Sequence, residues 1–519
     1  MNAIQSVADF SRSHARERPE HTALVCRGET TTYGELDARA NQVAQGLNDL
    51  GLGVQSRAGF LAKNDARYFE LILGCAKARM TIVGVNTRLA PPEMRYVLDD
   101  ARAEVLIVGR EFYEIVEAME AEFATIRTII ALDGDHPRWP AYAEWRGAQS
   151  AEDPLLTVEP EDDIQQLYTS GTTGHPKGVQ ITQGQWVRFA EAVLAAGWAR
   201  YTPDDTIMVC MPVFHVAGAN GGLLALMQGA RVLVVADIVP EDIFRLIPAY
   251  RVNYTLFVPA VILMLVSQPG VEDVDFSSLR CITYGASPIA ESLLERAREV
   301  FGCDFIQLYG LTENLGGATY LPAEDHGAER NKLRSCGKPY PGAQIRIVDG
   351  EGRDLPTGEV GEIAIHCGWL MKGYWQNPEA TAAAIRDGWF LSGDAGYLDE
   401  DGYVYIHDRI KDMIVSGGEN VYPAEVENAL FSHPDVADVA VIGVPDERWG
   451  EAVKAIVVPR TDSGLTAESL IAHARERIAG YKLPKSVDFV VALPRNPSGK
   501  VLRRELRQTY WAGHDRQIG

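Results

Sequence analysis

Ser56-Arg-Ala-Gly-Phe60, Tyr68-Phe-Glu-Leu-Ile-Leu-Gly-Cys-Ala-Lys-Ala-Arg-Met80, Thr81-Ile-Val-Gly-Val85, Pro92–Ala101 and Glu104-Val-Leu-Ile-Val108 follow one another with little between them. The first, third and fifth are short apolar runs. The second and fourth repeat their apolar residues at helical spacing. Strand-like runs separated by helical segments predict parallel sheets with crossover helices. The rhythm returns in Arg231–Ala236, Ile238–Tyr250 and Val252–Val258. The fold class is therefore α/β.

Working outward, the texture changes near Gly337. Ala343–Val348, Val360–His366 and Tyr403–His407 are short strand-like runs, and turns such as Asp349-Gly350 and Asp401-Gly402 punctuate the segment. This predicts antiparallel structure, a small β-barrel over about 337–408. Beyond Asp408-Arg409-Ile410-Lys411 the sequence predicts a helix over Pro423–Phe431, strands over Val436–Val444 and Ala452–Pro459, and a helix over Ala467–Ala479. A boundary at Lys411 divides the chain into 1–410 and 411–519.

The 519 residues suggest about three folding units at roughly 150 residues each. A formal charge of −22 argues against general nucleic-acid binding and against anionic membrane surfaces. The exception is Arg475–Arg507, where nine Lys or Arg face three Asp or Glu; it is either a solvated face or a seat for a polyanion. Seven scattered cysteines form no C-x-x-C pair, which fits reduced thiols in a cytoplasmic protein. Met1–Phe10 has no signal-peptide pattern. Thr255–Val266, the most apolar stretch, is too short to span a bilayer and reads as one buried core element.

The chemistry is densest in Leu167-Tyr-Thr169-Ser170-Gly171-Thr172-Thr173-Gly174-His-Pro-Lys177-Gly178. Glycines let backbone N–H groups approach phosphate oxygens, hydroxyls donate to them and lysine supplies positive charge. A Walker A loop needs Gly-Lys followed by Ser or Thr, and this string lacks it, which counts against a P-loop kinase or NTPase. Further along stand Met211-Pro-Val-Phe-His215, Gly285-Ala286-Ser287-Pro288, Tyr309-Gly-Leu-Thr312-Glu313 and Gly373-Tyr374-Trp375. Ser392-Gly-Asp394-Ala-Gly396, Asp408-Arg409-Ile-Lys411-Asp412, Ser416-Gly417-Gly418-Glu-Asn420-Val-Tyr422-Pro423 and Pro494-Arg-Asn-Pro-Ser-Gly-Lys500 follow.

Taken in order, these nine motifs resemble the adenylate-forming enzymes over essentially the whole chain: acyl- and aryl-CoA synthetases, peptide adenylation domains and beetle luciferases. The resemblance implies an N-terminal adenylation domain of two parallel or mixed α/β subdomains plus the barrel. It also implies a small mobile α+β domain that carries the catalytic Lys500 and swings about a hinge at Lys411. ATP phosphates would meet Thr169, Ser170, Gly171, Thr172, Thr173, Gly174 and Lys177, with Thr312 near the α-phosphate. Glu313, with Thr169, would hold Mg²⁺. Gly285, Ala286 and Ser287 would wall the adenine and Tyr309 would stack on it; Asp394 and Arg409 would take the ribose. His215 would border the acyl pocket rather than act as a base. Gly417 and Gly418 would leave room for the pantetheine of coenzyme A, and Lys482 and Lys485 would meet its phosphates, although Leu483 stands where some relatives have arginine.

The implied reaction joins a carboxylic acid, ATP and CoA through an acyl-adenylate to give acyl-CoA, AMP and pyrophosphate. The nearest resemblance is to bacterial fatty-acyl-CoA synthetases. Cinnamate-type and steroid side-chain acids remain alternatives, as does, with less support, transfer to a carrier protein. A catalytically dead binding protein is disfavoured by the presence of Lys500, Glu313, Asp394 and Arg409. The expected partners are small molecules, without nucleic acid or integral membrane contact, and a homodimer is left open.

Overall fold

The computed structural model describes residues 4–169, 176–287, 289–409, 412–416, 419–446, 448–461, 463–496 and 499–511. Several central strands, such as Arg57–Leu61, Thr81–Gly84 and Cys281–Gly285, are buried along their whole length. Burial on both faces is what parallel strands beneath helices require. Helix starts are encoded locally. Thr32 and Thr182 each close a capping box onto the helices Tyr33–Asp49 and Gln183–Ala196.

Two large sheets result. In the nine-stranded one, Asp304–Tyr309, Cys281–Gly285, Tyr254–Phe257, Thr206–Val209, Arg231–Val234 and Thr22–Cys26 run parallel in that order. Glu29–Thr32 closes one edge antiparallel, and Thr319–Leu321 with Lys338–Pro339 closes the other. The seven-stranded sheet orders Gly373–Tyr374, Lys177–Thr182, Asp163–Thr169, Thr81–Gly84, Arg57–Leu61, Ala103–Val108 and Thr128–Ala131. One apolar core runs between the two sheets, and a second lies under Pro240–Tyr250 and Glu291–Phe301.

The third sheet is five antiparallel strands between Gln344 and Arg409, whose pairing among the described residues does not close into a ring. The expected barrel is thus a half-barrel. The fourth sheet draws only on strands between Ile414 and Phe489 and has its own core around Val441 and Val453. Two further expectations change. Thr255–Val266 is not one element: strand Tyr254–Phe257 ends, and Pro259 starts the helix Pro259–Val266, because proline suits a first helical turn and no strand interior. The helix expected over Ala467–Ala479 ends at Arg475. Among the described residues no helix is long and apolar enough to cross a membrane, and all seven thiols are free.

Candidate active site

In open α/β sheets ligands collect beyond the carboxyl ends of parallel strands, and here Tyr309, Gly285 and Thr169 are all last residues of strands. Two of these ends are shaped by glycine. A Cβ on Gly285 would strike the Leu308 carbonyl, and one on Gly310 would strike the backbone of Gly316. Ala286 follows with φ +68°, a left-handed conformation uncommon for a residue with a side chain. The two strand ends therefore form a close-set wall.

Ala286, Ser287, Tyr309, Gly310, Asp394 and Lys500 border one cleft of about 730 Å³. Tyr309 Oη donates to Asp394 Oδ2 at 2.8 Å, with both residues buried. Burial, and then the charge of Asp394, hold this phenol well above its ordinary pKa. It is therefore a permanent donor. On the neighbouring strand, Arg409 is the register partner of Asp394; its side chain lies outside the described residues.

Lys500 is presented by a tight loop. Asn496 N–H donates to the Lys500 carbonyl at 2.8 Å, and Asn496 Oδ1 accepts Lys500 N–H at 2.8 Å. Gly499, at φ +78°, lies against Val258 and Ala260, so the loop rests on the strand-to-helix corner at Pro259. The basic face expected around Lys500 is largely paired. Arg503 meets both oxygens of Glu427 at 2.8 Å, Arg507 meets Asp412 at 2.8 Å and Arg495 meets Asp438 at 2.6 Å.

The two flanks of the phosphate string pair antiparallel, with Thr169 at the end of one strand opposite Lys177 at the start of the next. Ser170, Gly171, Thr172, Thr173 and Gly174 lie outside the described residues. Lys177 Nζ sits 5.0 Å above the Tyr374 ring, and Tyr374 Oη donates to Glu313 Oε1 at 2.8 Å. The lysine expected on phosphate and the carboxylate expected on metal therefore share one tyrosine. Tyr374 carries no role in the expectations drawn from sequence, and its place in the Gly373-Tyr374-Trp375 motif was the available signal. Glu313 and Thr312 lie on a single tight turn, Thr312–Asn314, capped by Asn314 Oδ1 on Leu311 N–H.

No three His, Cys, Asp or Glu among the described residues gather at metal-binding spacing. One buried carboxylate, joined through Tyr374 to Lys177, suits Mg²⁺, which keeps waters and phosphate oxygens as most of its ligands. His215 stands just before the helix Val216–Met227, and its buried Nε2 has no hydrogen-bond partner. Burial, then repulsion from Arg88, depresses the imidazole to about 4. It is neutral at pH 7 and contributes no positive charge to the acid.

The CoA residues are placed differently. Lys482 Nζ is held by Glu425 at 2.6 and 2.7 Å, and Lys485 Nζ lies 5.6 Å over the Trp449 ring. Burial pulls the Lys482 ammonium down, but the Glu425 contact outweighs it and the pKa is raised. Neither lysine borders the cleft. Lys411, Gly417 and Gly418 lie outside the described residues.

The sequence profile of the AMP-binding enzyme family matches residues 11–375, and that of the AMP-binding enzyme C-terminal domain matches 425–500. The fatty acid–[acyl-carrier-protein] ligase ScoC of Streptomyces coeruleorubidus is 39% identical, over 99% of this chain and 98% of its own. A feruloyl-CoA synthase of Amycolatopsis is 38% identical, over 98% and 99%. Among solved structures, a fatty acyl CoA synthetase of Mycobacterium tuberculosis superposes with a TM-score of 0.78 at 34% identity, covering 98% of this chain and 99% of that one.

Proposed function

The chain belongs to the AMP-binding enzyme family, and from that premise we propose that it is an AMP-forming fatty-acid–CoA ligase. The observation that carries the reading is the meeting of Lys500 with the Tyr309–Asp394 pair in one cleft. A cation at that place has a task in the first half-reaction. A carboxylate oxygen of the acid attacks the α-phosphorus of ATP, the bond to the β-phosphate breaks, and pyrophosphate leaves. Two anions approach in that step, so an ammonium between them favours the transition state over the ground state. Asp394, oriented by Tyr309, takes the ribose hydroxyls, and Lys177 faces the phosphates. Glu313 would hold Mg²⁺, which when bound would supply charge neutralisation for the pyrophosphate. In the second half-reaction the thiol sulfur of CoA attacks the acyl carbon, gives up its proton, and AMP leaves. The segment after Lys411 carries Lys500 away for that step.

An aliphatic acid is supported by the helix Val216–Met227, which follows His215 and contains no charged residue. The likeness to a fatty-acid ligase and to a fatty acyl CoA synthetase supports it further. One observation favours a second acceptor, a pantetheine borne on a carrier protein. Lys482, expected on the CoA phosphates, is already paired with Glu425. The test supplies ATP, Mg²⁺ and a panel of straight-chain, cinnamate-type and steroid side-chain acids, with CoA, with a pantetheinylated carrier protein, or with neither. Pyrophosphate and an acyl-CoA are the expected products with straight-chain acids. ADP or an acyl phosphate would overturn the reading, and thioester on the carrier alone would replace CoA by the second acceptor.

A further inference from the structure

Lys177 and Glu313, assigned above to the phosphates and their metal ion, stand on different sheets. Lys177 opens a strand of the seven-stranded sheet, and the Glu313 turn follows the strand Asp304–Tyr309 of the nine-stranded one. One short segment, residues 371–375, touches both. Met371 N–H donates to the Glu313 carbonyl at 2.7 Å, and Tyr374 Oη donates to the Glu313 carboxylate at 2.8 Å. On the other side, Lys372 N–H donates to the Gln180 carbonyl at 3.0 Å and Trp375 N–H to the Gly178 carbonyl at 2.7 Å. The strand inside this segment, Gly373–Tyr374, is only two residues long. That is well below the usual strand length, so side chains must help to hold it in place.

Trp375 is the better anchored end. Successive side chains of an extended segment point to opposite faces, so Tyr374 reaches Glu313 while Trp375 turns the other way. Its Nε1 donates to the Asp100 carbonyl at 2.9 Å. Asp100 ends the helix Pro91–Asp100, and the last carbonyls of a helix have no partner within it. Against the indole face lies Arg57, its Cζ 3.6 Å from the ring centroid. Arg57 is buried, and Gln166 Oε1 at 3.3 Å and Asp163 Oδ2 at 3.4 Å hold it from behind. A guanidinium withdrawn from water attracts an aromatic face more strongly than an exposed one does. Lys372 secures the opposite end, with Nζ 3.0 Å from Asp163 Oδ1.

We infer that Trp375 is a positioning residue for adenylation: pinned by Asp100 and Arg57, it fixes Tyr374 and so sets Lys177 and Glu313 at one spacing across the two sheets. This rests on the AMP-forming reading above. The site is then ordered before nucleotide arrives. Without the pin, ordering the segment becomes a cost of binding.

The experiment measures MgATP affinity by titration calorimetry in the absence of acid, the KM for the acid in pyrophosphate release, and melting midpoints. It compares the wild type, Trp375→Leu, Trp375→Phe, Tyr374→Phe and the double variant Trp375→Leu with Tyr374→Phe. Trp375→Leu should weaken MgATP by roughly 10- to 100-fold, the scale on which groups that orient metal ligands act, and leave the KM for the acid near its wild-type value. In the Tyr374→Phe background the same substitution should cost less than it does alone, because its effect passes through Tyr374. Trp375→Phe keeps a ring for Arg57 and loses only the bond to Asp100. It should weaken MgATP by roughly 3- to 10-fold, the scale of one neutral hydrogen bond, and it decides the matter if Trp375→Leu does not fold. A wild type that releases no pyrophosphate with any acid overturns the AMP-forming reading and this inference with it. With an active wild type, unchanged MgATP affinity in the folded Trp375 variants, an equal rise in the KM for the acid, or losses that add in full to those of Tyr374→Phe would overturn this inference alone.

Discussion

Replacing Tyr309 by phenylalanine separates two jobs at one position, because it keeps the ring and removes only the hydroxyl that donates to Asp394 at 2.8 Å. Both partners are less than a tenth exposed, at 9% and 5%, so solvent screens the bond little. A hydrogen bond to a charged group contributes about 1.5–3 kcal/mol, and each 1.36 kcal/mol is tenfold in an equilibrium constant. A carboxylate has lone pairs for the tyrosine and the ribose together. The tyrosine holds the carboxylate in the orientation that the ribose needs and strengthens its grip only when that orientation is used, so its loss falls on nucleotide binding. Tyr309→Phe should weaken ATP by roughly 10- to 100-fold, read as the KM for ATP in pyrophosphate release with acid saturating, while the KM for the acid moves little. The double variant with Asp394→Asn should lose less than the sum of the single losses, because the residues act as a pair. A Tyr309→Phe enzyme whose ATP KM stays within about twofold of wild type would refute the reasoning, since a bond of 1.5 kcal/mol cannot vanish so quietly.

Three further outcomes are expected. Lys500→Ala should slow acyl-adenylate formation by ~10²–10³-fold, the loss seen on removing one oxyanion donor, yet still turn supplied acyl-adenylate into thioester; equal damage to both half-reactions would remove the lysine from its assigned step. Tyr374→Phe frees Glu313 from its 2.8 Å donor and should raise the Mg²⁺ concentration needed for half-maximal rate without raising the KM for the acid, as a magnesium titration would read. His326, whose ring bonds Tyr284 Oη at 3.0 Å and the Pro322 carbonyl at 2.9 Å, is depressed by burial from 6.5 to about 4. Its stability contribution is full above about 6.5 and is lost as pH falls from there through 4. The melting midpoint of the wild type should accordingly fall more steeply between pH 7 and 5 than that of His326→Gln, and parallel slopes would contradict the assignment.

The elements were legible wherever local periodicity and punctuation decide them. Pro423–Phe431 is predicted and found between the same residues, because a proline opens it and a run of helix formers follows. Strand order was not legible, because which runs lie side by side is settled by helices packing between them. Thr255–Val266 misled for a related reason: an unbroken apolar run does not announce where one buried element hands over to the next. At the site, residue identity was legible and partnership was not. Tyr309 finds Asp394 85 positions away, Tyr374 finds Glu313 at 61 and Lys482 finds Glu425 at 57. A motif shows that a lysine is present; only the fold shows that a glutamate already holds it.

The strand Thr22–Cys26, seated parallel beside Arg231–Val234, also bears on how the chain is made. Its partner emerges roughly 200 residues later, and at 5–20 residues per second that is a wait of roughly 10–40 s. Throughout that interval Ala23, Leu24 and Val25, all destined for the interior, have only Glu29–Thr32 as a neighbour in their sheet. A ribosome stalled between the two segments would therefore carry an unpaired apolar edge. Holdase chaperones should associate with nascent chains that end before Arg231 and release those that extend well past Val234.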